Sequence, residues 1–457
     1  DVIDGPDFAP VLAPEIVHCC IVNAHSEIAN PRTFGEQQRK VFSRAELARW
    51  SPELRKQKPL KVLKQAMHGR VPALASIKYA RMQASAFGFF RGAVPIMAYD
   101  LSLMGSSGIV TQLCGDAHVQ NLGAYSDQNG RLTFDINDFD ETIRGPFEWD
   151  VKRMATSILL AGQGAKIKNS VCTEAAEIFL QQYCDLVRQL AHMPVLAVAR
   201  FQVHRLQSIA PISRILAQAE HATPMASLKK LTEKTKDGQR FKDLPPLLRR
   251  LTGKHAADVL GSLVPYAKSL LPERQHFLEQ FRPIDVAFKV VGTGSVGLRA
   301  YCVYLEGNRE TQGGSDPLFL QMKEEVPSAY IGYLPQLQVT ALHQGQRVAD
   351  GQRAMQLGSD PLLGWTHLEG RDYLVRQLSD HKASIDITKM RARDLEQYSA
   401  VCGEMLARGH ARAGSAREIA GYLGAGKRFR MAILDFARSY TNQTIADWKE
   451  LCREGGK

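Results

Sequence analysis

No Cys-x-x-Cys pair occurs in the 457 residues. The eight cysteines are scattered, with only Cys19 and Cys20 adjacent, which argues against a zinc ribbon or a disulfide framework. Such usage fits free thiols in a reducing cytosol, so a cytoplasmic location is expected. Long apolar runs are missing too. Stretches such as Ile158-Leu159-Leu160-Ala161 are far too short to span a bilayer, and no membrane partner is expected. No secretory signal is visible at the start, and because the chain opens on Asp1 a missing upstream segment is an expectation. Internal repeats and low-complexity tracts are absent. The densest basic stretch, Lys229 to Lys254, lacks aromatic interleaving beyond Phe241 and carries no nucleic-acid motif. It reads as a solvated helical face, and a nucleic-acid partner is not expected.

What is present is ordinary for a globular protein: 44% hydrophobic and 23% charged residues, with a length that suggests two or three lobes. The net charge of +11 is spread along the chain and favours an anionic partner. The pattern divides into an irregular arm and helical segment over 1–110, a loop-and-helix region over 111–283, a strand-rich region over 284–380 and terminal helices over 381–457. Ser43 and Ser51 are helix N-cap candidates in the first of these. Residues 171–280 read as successive amphipathic helices broken at Pro245-Pro246.

The stretch that begins at Thr111 concentrates the chemistry. It holds Gly115-Asp116-Ala117-His118-Val119-Gln120-Asn121, a turn, and a strand-like run from Arg131 to Ile136 that ends in Asn137-Asp138-Phe139-Asp140-Glu141. Carboxylates this dense at a strand end repel one another unless they are solvated or bind cations. Phosphoryl transfer needs a carboxylate to orient the attacking hydroxyl, and an Asn and an Asp to hold Mg²⁺ on the phosphates. Asp116 and Asn121, five apart and followed by a strand-end Asp, have that spacing. The catalytic candidates are Asp116, His118 and Asn121. The metal candidates are Asn121 and Asp138, with Asp135 and Asp140 competing. Asp150 either caps the helix it opens or bonds back to the Asp116 loop. Cys114 reads as a small core residue, and His410 as packed or capping.

A second set lies far along the chain. Val286 to Val291 reads as a strand, then comes Gly292-Thr293-Gly294-Ser295-Val296-Gly297, then a β-rich run to Leu305. A dinucleotide fold needs a helix after the glycines, and here a strand follows. The glycines therefore sit in a hairpin, where their backbone can approach phosphate oxygens with no Cβ in the way. Gly292, Gly294, Ser295 and Gly297 are the candidates for that contact. Lys323 ends the next strand, where a phosphate-pairing lysine belongs, with Glu324, Glu325 and Asp350 as possible acidic partners. Arg91 suits either a phosphate or a structural ion pair.

GDAHVQN resembles the catalytic loop of aminoglycoside and choline kinases, and NDFDE resembles their metal-binding strand end. GDAHVQNLG, FDINDFDE with GPFEWDVKR, VVGTGSVGLRAY and GRDYLVRQL together resemble the bacterial family catalogued as domain of unknown function 2252. The kinase resemblance implies an α+β, two-lobed, protein-kinase-like fold with a large helical lobe, binding ATP and Mg²⁺. It also implies transfer to a hydroxyl on a small-molecule acceptor. The parts stand in rotated order, so a circular permutation is expected, with the helix near 395–412 packed beside 111–121. The alternatives are a nucleotide-binding pseudokinase or a nucleotidyltransferase. Below them stand an NAD-dependent oxidoreductase with Asp316 on the ribose, and a metal-dependent nuclease using the 135–141 carboxylates.

Overall fold

The computed structural model describes residues 30–203, 206–290, 294–307, 315–334, 343–378 and 383–454. Helices and antiparallel sheets alternate along it. Helices α1 (Pro31–Val41), α2 (Pro59–Gln65), α3 (Ala75–Gln83), α4 (Ala86–Gly92) and α5 (Val94–Ser102) come first. Ser51 accepts the Glu53 N–H as a cap, whereas the Ser43 side chain makes no cap bond. Strand β1 (Val110–Leu113) pairs with β4 (Ile143–Pro146) and brackets β2 (Leu122–Ser126) and β3 (Leu132–Ile136). Gly145-Pro146 ends β4, and α6 (Glu148–Gly164) starts two residues later. Helix α7 (Asn169–Ala191) packs against it.

The expected helical face between Lys229 and Lys254 is corrected by the fold. Helix α8 (Pro224–Leu231) stops there, and β5 (Thr232–Thr235), β6 (Gly238–Phe241) and β7 (Leu248–Arg250) follow. The reason is local: Gly238 turns the β5–β6 hairpin at φ +98°, a conformation that ends helices. Strand β7 adds to the edge of the main sheet by pairing with the strand at Phe281–Lys289.

After α9 (Gly253–Gly261) and α10 (Leu263–Lys268) come β8 (Phe281–Lys289), β9 (Ala300–Gly307) and β10 (Pro317–Glu325), then α11 (Gln344–Met355), β11 (Gly364–Leu368) and β12 (Arg371–Gln377). Their sheet runs β11-β12-β10-β9-β8-β7, antiparallel throughout. Alternation sorts its two faces. Leu318, Leu320 and Met322 meet Val259, Leu263 and Tyr266 of α9 and α10 on one side, while Phe319 meets Leu228 and Phe241 on the other. On that second face Gln321 and Lys323 follow Phe319, and they lead toward β2 and β3.

Short β13 (Ala383–Ser384) adds to β2, and α12 (Ala392–Ala413), α13 (Ala416–Leu423) and α14 (Lys427–Glu454) close the chain. One apolar core joins Phe87 and Phe90 near the start, Ile158 and Tyr183, and Leu406 and Phe436 near the end. Helix α12 lies beside 111–121: Thr111 Oγ1 donates to the His410 carbonyl at 3.0 Å, and Tyr398 donates to the Val119 carbonyl at 2.8 Å. Among the described residues no helix is long and apolar enough to cross a membrane.

Candidate active site

The loop after β1 is held from beneath by one carboxylate. Asp150, in the first turn of α6, accepts the Cys114 N–H at 2.8 Å and the Gly115 N–H at 3.0 Å. Its buried side chain also meets His410 Nε2 at 3.3 Å, while His410 Nδ1 bonds the Tyr183 hydroxyl at 2.9 Å. Asp150 is thus the loop's anchor, and His410 orients it. Cys114 packs in the core, and burial pushes its thiol well above the usual range.

Gly115 has φ +81°, and a Cβ there would lie 2.1 Å from the Glu141 carbonyl oxygen. The Asp116 loop and the acidic strand end meet at that point. Gly115→Ala should therefore lower stability by about 2 kcal/mol or more and drive the loops apart. A thermal midpoint equal to the wild type's would show that the contact is not tight.

Asp116 is reached from α6 as well. Arg153, fully buried, donates from Nε to Asp116 Oδ1 at 2.8 Å and from a second nitrogen to the same oxygen. The other carboxylate oxygen lies 3.6 Å from His118 Nε2. His118 accepts the Gln120 N–H at Nδ1 (3.1 Å), and its Nε2, which faces Asp116, also lies 3.3 Å from the donor Arg91 Nε. Burial lowers the imidazole to about 4 despite the Asp116 charge, so His118 is uncharged at neutral pH.

Asn121 staples the two loops. Its Nδ2 donates to the carbonyls of Asp116 and Asp138, both at 2.9 Å, and its Oδ1 accepts the Asp138 N–H at 2.6 Å. With its side chain buried it positions the two loops, and Oδ1, which accepts one N–H, keeps a second lone pair. Asp135 departs from the expectation. It points to the other side of β3, ion-paired with Arg408 of α12 and accepting the Ile136 N–H. Strand alternation turns it away from the cleft that Asp138 faces.

Asp138 and Asp140 do converge with the distant set. Lys323 Nζ is ion-paired with Asp140 and lies 3.8 Å from Asp138 Oδ1. Ser295 Oγ, from the turn between β8 and β9, donates to Asp140 Oδ2 at 3.0 Å. Burial alone would raise both carboxyls. At Asp138 the Lys323 charge overcomes burial and holds the carboxyl below the usual range. At Asp140 burial, followed by the Asp138 charge, pushes it up to about 6.

None of the acids expected to pair with Lys323 does so. Glu324 belongs to Arg299 and Arg371, at 3.1 and 2.9 Å. Asp350 sits half-exposed on α11 beside Arg353. Glu325 is buried near Lys323, its carboxyl pushed well above the usual range by burial and then by Asp140, and its Oε1 has no hydrogen-bond partner among the described residues.

Of the glycine set, Gly292 lies outside the described residues. Gly294, Ser295 and Gly297 form a turn clamped by the N-terminal helices. Arg70 donates to the carbonyls of Gly294 (2.9 Å) and Val296 (2.7 Å), and Lys78 to that of Gly294 (2.6 Å). Arg91 donates to Gln120 Oε1 at 2.8 Å, and its Nε stands 3.3 Å from His118 Nε2. The sequence reading missed Arg70, Lys78 and Arg153. Arg153 carried a signal, a charge three residues after Asp150 on a helix otherwise buried. Lys78 and Arg70 carried none.

A family model described as an uncharacterized protein conserved in bacteria, DUF2252, matches residues 70–454. No curated protein and no solved structure matches the chain.

Proposed function

The chain belongs to the bacterial family of uncharacterized proteins DUF2252, and we propose that it is a kinase-like phosphotransferase that uses ATP and Mg²⁺ to phosphorylate a hydroxyl on a small molecule. One observation carries the reading. Asp138 and Asp140 meet Lys323 and Ser295, more than 150 residues downstream, at one point of the cleft. Asn121 ties the Asp116 loop to that point. These are the parts that phosphoryl transfer requires. The strand order β8-β9-β10-β12-β11, with α11 between the lysine strand β10 and the pair β11-β12, supports a permuted kinase-like arrangement.

Asp138 and Asp140 fit a divalent cation: both are acidic oxygen donors, and Asp138 Oδ1 is buried without a hydrogen-bond partner. Bound there, Mg²⁺ would supply charge neutralisation for the phosphates. Lys323 would pair with a phosphate oxygen, released from Asp140 as the carboxylates take up the cation. The turn at Gly294–Gly297 would cover the phosphates. Asp116 would orient the acceptor hydroxyl through Oδ2, since Arg153 occupies Oδ1 and fixes its direction.

That same occupancy by Arg153 favours a second reading, a nucleotide-binding pseudokinase in which Asp116 is a structural partner. Titration with ATP in the presence and absence of Mg²⁺, followed by an ADP-release assay, separates the two. Mg²⁺-dependent ADP release that falls about 10²-fold or more in Asp116→Asn supports transfer. Nucleotide binding without release supports the pseudokinase, and no nucleotide binding removes both.

A further inference from the structure

Three cations from the segment before the Asp116 loop reach this region: Arg70 from the connection after α2, Lys78 from α3 and Arg91 from α4. Lys78 is only 3% exposed, yet its one hydrogen bond among the described residues is to a neutral carbonyl, that of Gly294. Arg70 donates to the same oxygen, so two like charges share one acceptor. Gly294 in turn lies against Arg91, whose carbonyl oxygen is 3.5 Å from where a Cβ would stand. Among the described residues, none of Arg70, Lys78 and Arg91 forms an ion pair with a carboxylate, although the charges of Glu141, Asp140 and Glu324 act on Arg70, those of Glu141 and Asp116 on Lys78, and those of Asp116 and Asp138 on Arg91. Glu141 Oε2 accepts the Ala329 N–H. A buried cation with no directly paired counter-ion, as Lys78 is, costs several kcal/mol unless something compensates it. Burial and the neighbouring Arg70 accordingly lower the Lys78 ammonium to about 7.

We propose that Lys78 and Arg91, with Arg70 fixing the glycine turn beside them, form a subsite for a phosphate-class oxyanion between that turn and the catalytic loop. Arg91 faces the loop through His118 and Gln120, and Lys78 faces the turn. An oxyanion between them stands next to Asp116. The fork of Arg91 and the point charge of Lys78 are complementary donors for a tetrahedral anion. Arg70 acts through the turn. By holding the Gly294 and Val296 carbonyls, it aims the N–H groups of Ser295 and Gly297 the opposite way, because each peptide is planar and trans. The subsite's role in transfer rests on the phosphotransferase reading; its affinity for the anion does not. The phosphate group can come from the nucleotide or from a phosphorylated acceptor.

The test is calorimetric titration of the full chain with inorganic phosphate. Lys78→Met and Arg91→Met are each expected to weaken binding by about tenfold or more, as loss of a charge-assisted bond does, while the exposed-surface variant Lys254→Met binds as the wild type does. Absence of phosphate binding, or a change below about threefold in both site variants, overturns the proposal. Fold integrity is read separately. An ammonium kept for a ligand should not be needed for folding, so Lys78→Met should hold or raise the thermal midpoint. A lowered midpoint with unchanged phosphate affinity marks a mere clamp and also overturns it. Repeating the titration with Mg²⁺ and a saturating β,γ-imido analogue of ATP assigns the source. Exclusion of phosphate gives the subsite to the nucleotide, and simultaneous binding gives it to the acceptor. If the analogue fails to bind while phosphate still does, the phosphotransferase reading falls and the subsite stands.

Discussion

On the phosphotransferase reading, Lys323→Met should abolish most Mg²⁺-dependent ATP turnover, by about 10²–10³-fold, because it removes the cation that β10 would offer to the phosphates. The same substitution has a second effect that needs no substrate. Lys323 is buried, and in the resting protein it is the counter-ion for both Asp138 and Asp140. Without it two neighbouring carboxylates face each other, and each must hold a proton or a cation. The sign of the pH dependence follows. A carboxyl raised in the folded state binds more protons than it does unfolded, so stability falls as pH rises through the window between the two values. Asp140 is already at about 6 with Lys323 present. In the variant both carboxyls move up, so a deficit relative to wild type should already be present at pH 5, where the Lys323 stabilisation of ionised Asp138 is lost, and grow toward pH 8 as the second carboxyl ionises. Added Mg²⁺ should restore part of the lost midpoint at the higher pH. Thermal scans of both proteins across that range, with Mg²⁺ and with EDTA, decide the matter. A deficit independent of pH and untouched by Mg²⁺ would remove Asp138 and Asp140 from consideration as a cation site.

Asp150→Ala should cost about 3–5 kcal/mol, the largest stability effect expected of any single change near the site. Deleting the carboxylate strands two buried backbone donors, Cys114 N–H and Gly115 N–H, and leaves His410 Nε2 without its partner. Were Asp150 merely a helix cap, the loss would be about 1 kcal/mol. Chemical denaturation distinguishes the two figures. Asp150→Asn should fall between them, since the amide can accept one N–H but turns its own NH₂ toward the other. Activity should fall with stability in both variants, because the anchored loop carries Asp116. A loss near 1 kcal/mol with activity intact would mean that the loop is held chiefly by Asn121 and Arg153.

Short-range chemistry was legible in the chain. Strand alternation and turn residues marked β3, β8, β9 and β10, and the helix expected near 395–412 is α12. The strand after the glycines implied a hairpin, and β8 and β9 are antiparallel. The spacing of Asp116, Asn121 and Asp138 marked one place, and Lys323 another. Local pattern suffices for these because backbone hydrogen bonding and side-chain period depend on neighbours in sequence.

The pairing of those two places was a matter of packing between distant segments, as was the choice among Asp135, Asp138 and Asp140. In a strand-end cluster of like residues, which carboxylate faces the cleft depends on the partner that each side meets. Arg408 of α12 takes Asp135, and Lys323 of β10 takes the others. Glu324 was lost to Arg299 and Arg371 for the same reason. Lys78 and Arg70 could not be singled out in a chain with 58 basic residues. Their significance is that folding sets both against the Gly294 carbonyl, with Lys78 buried and neither ion-paired to a carboxylate among the described residues, and that is a property of the folded surroundings, invisible in the residue itself.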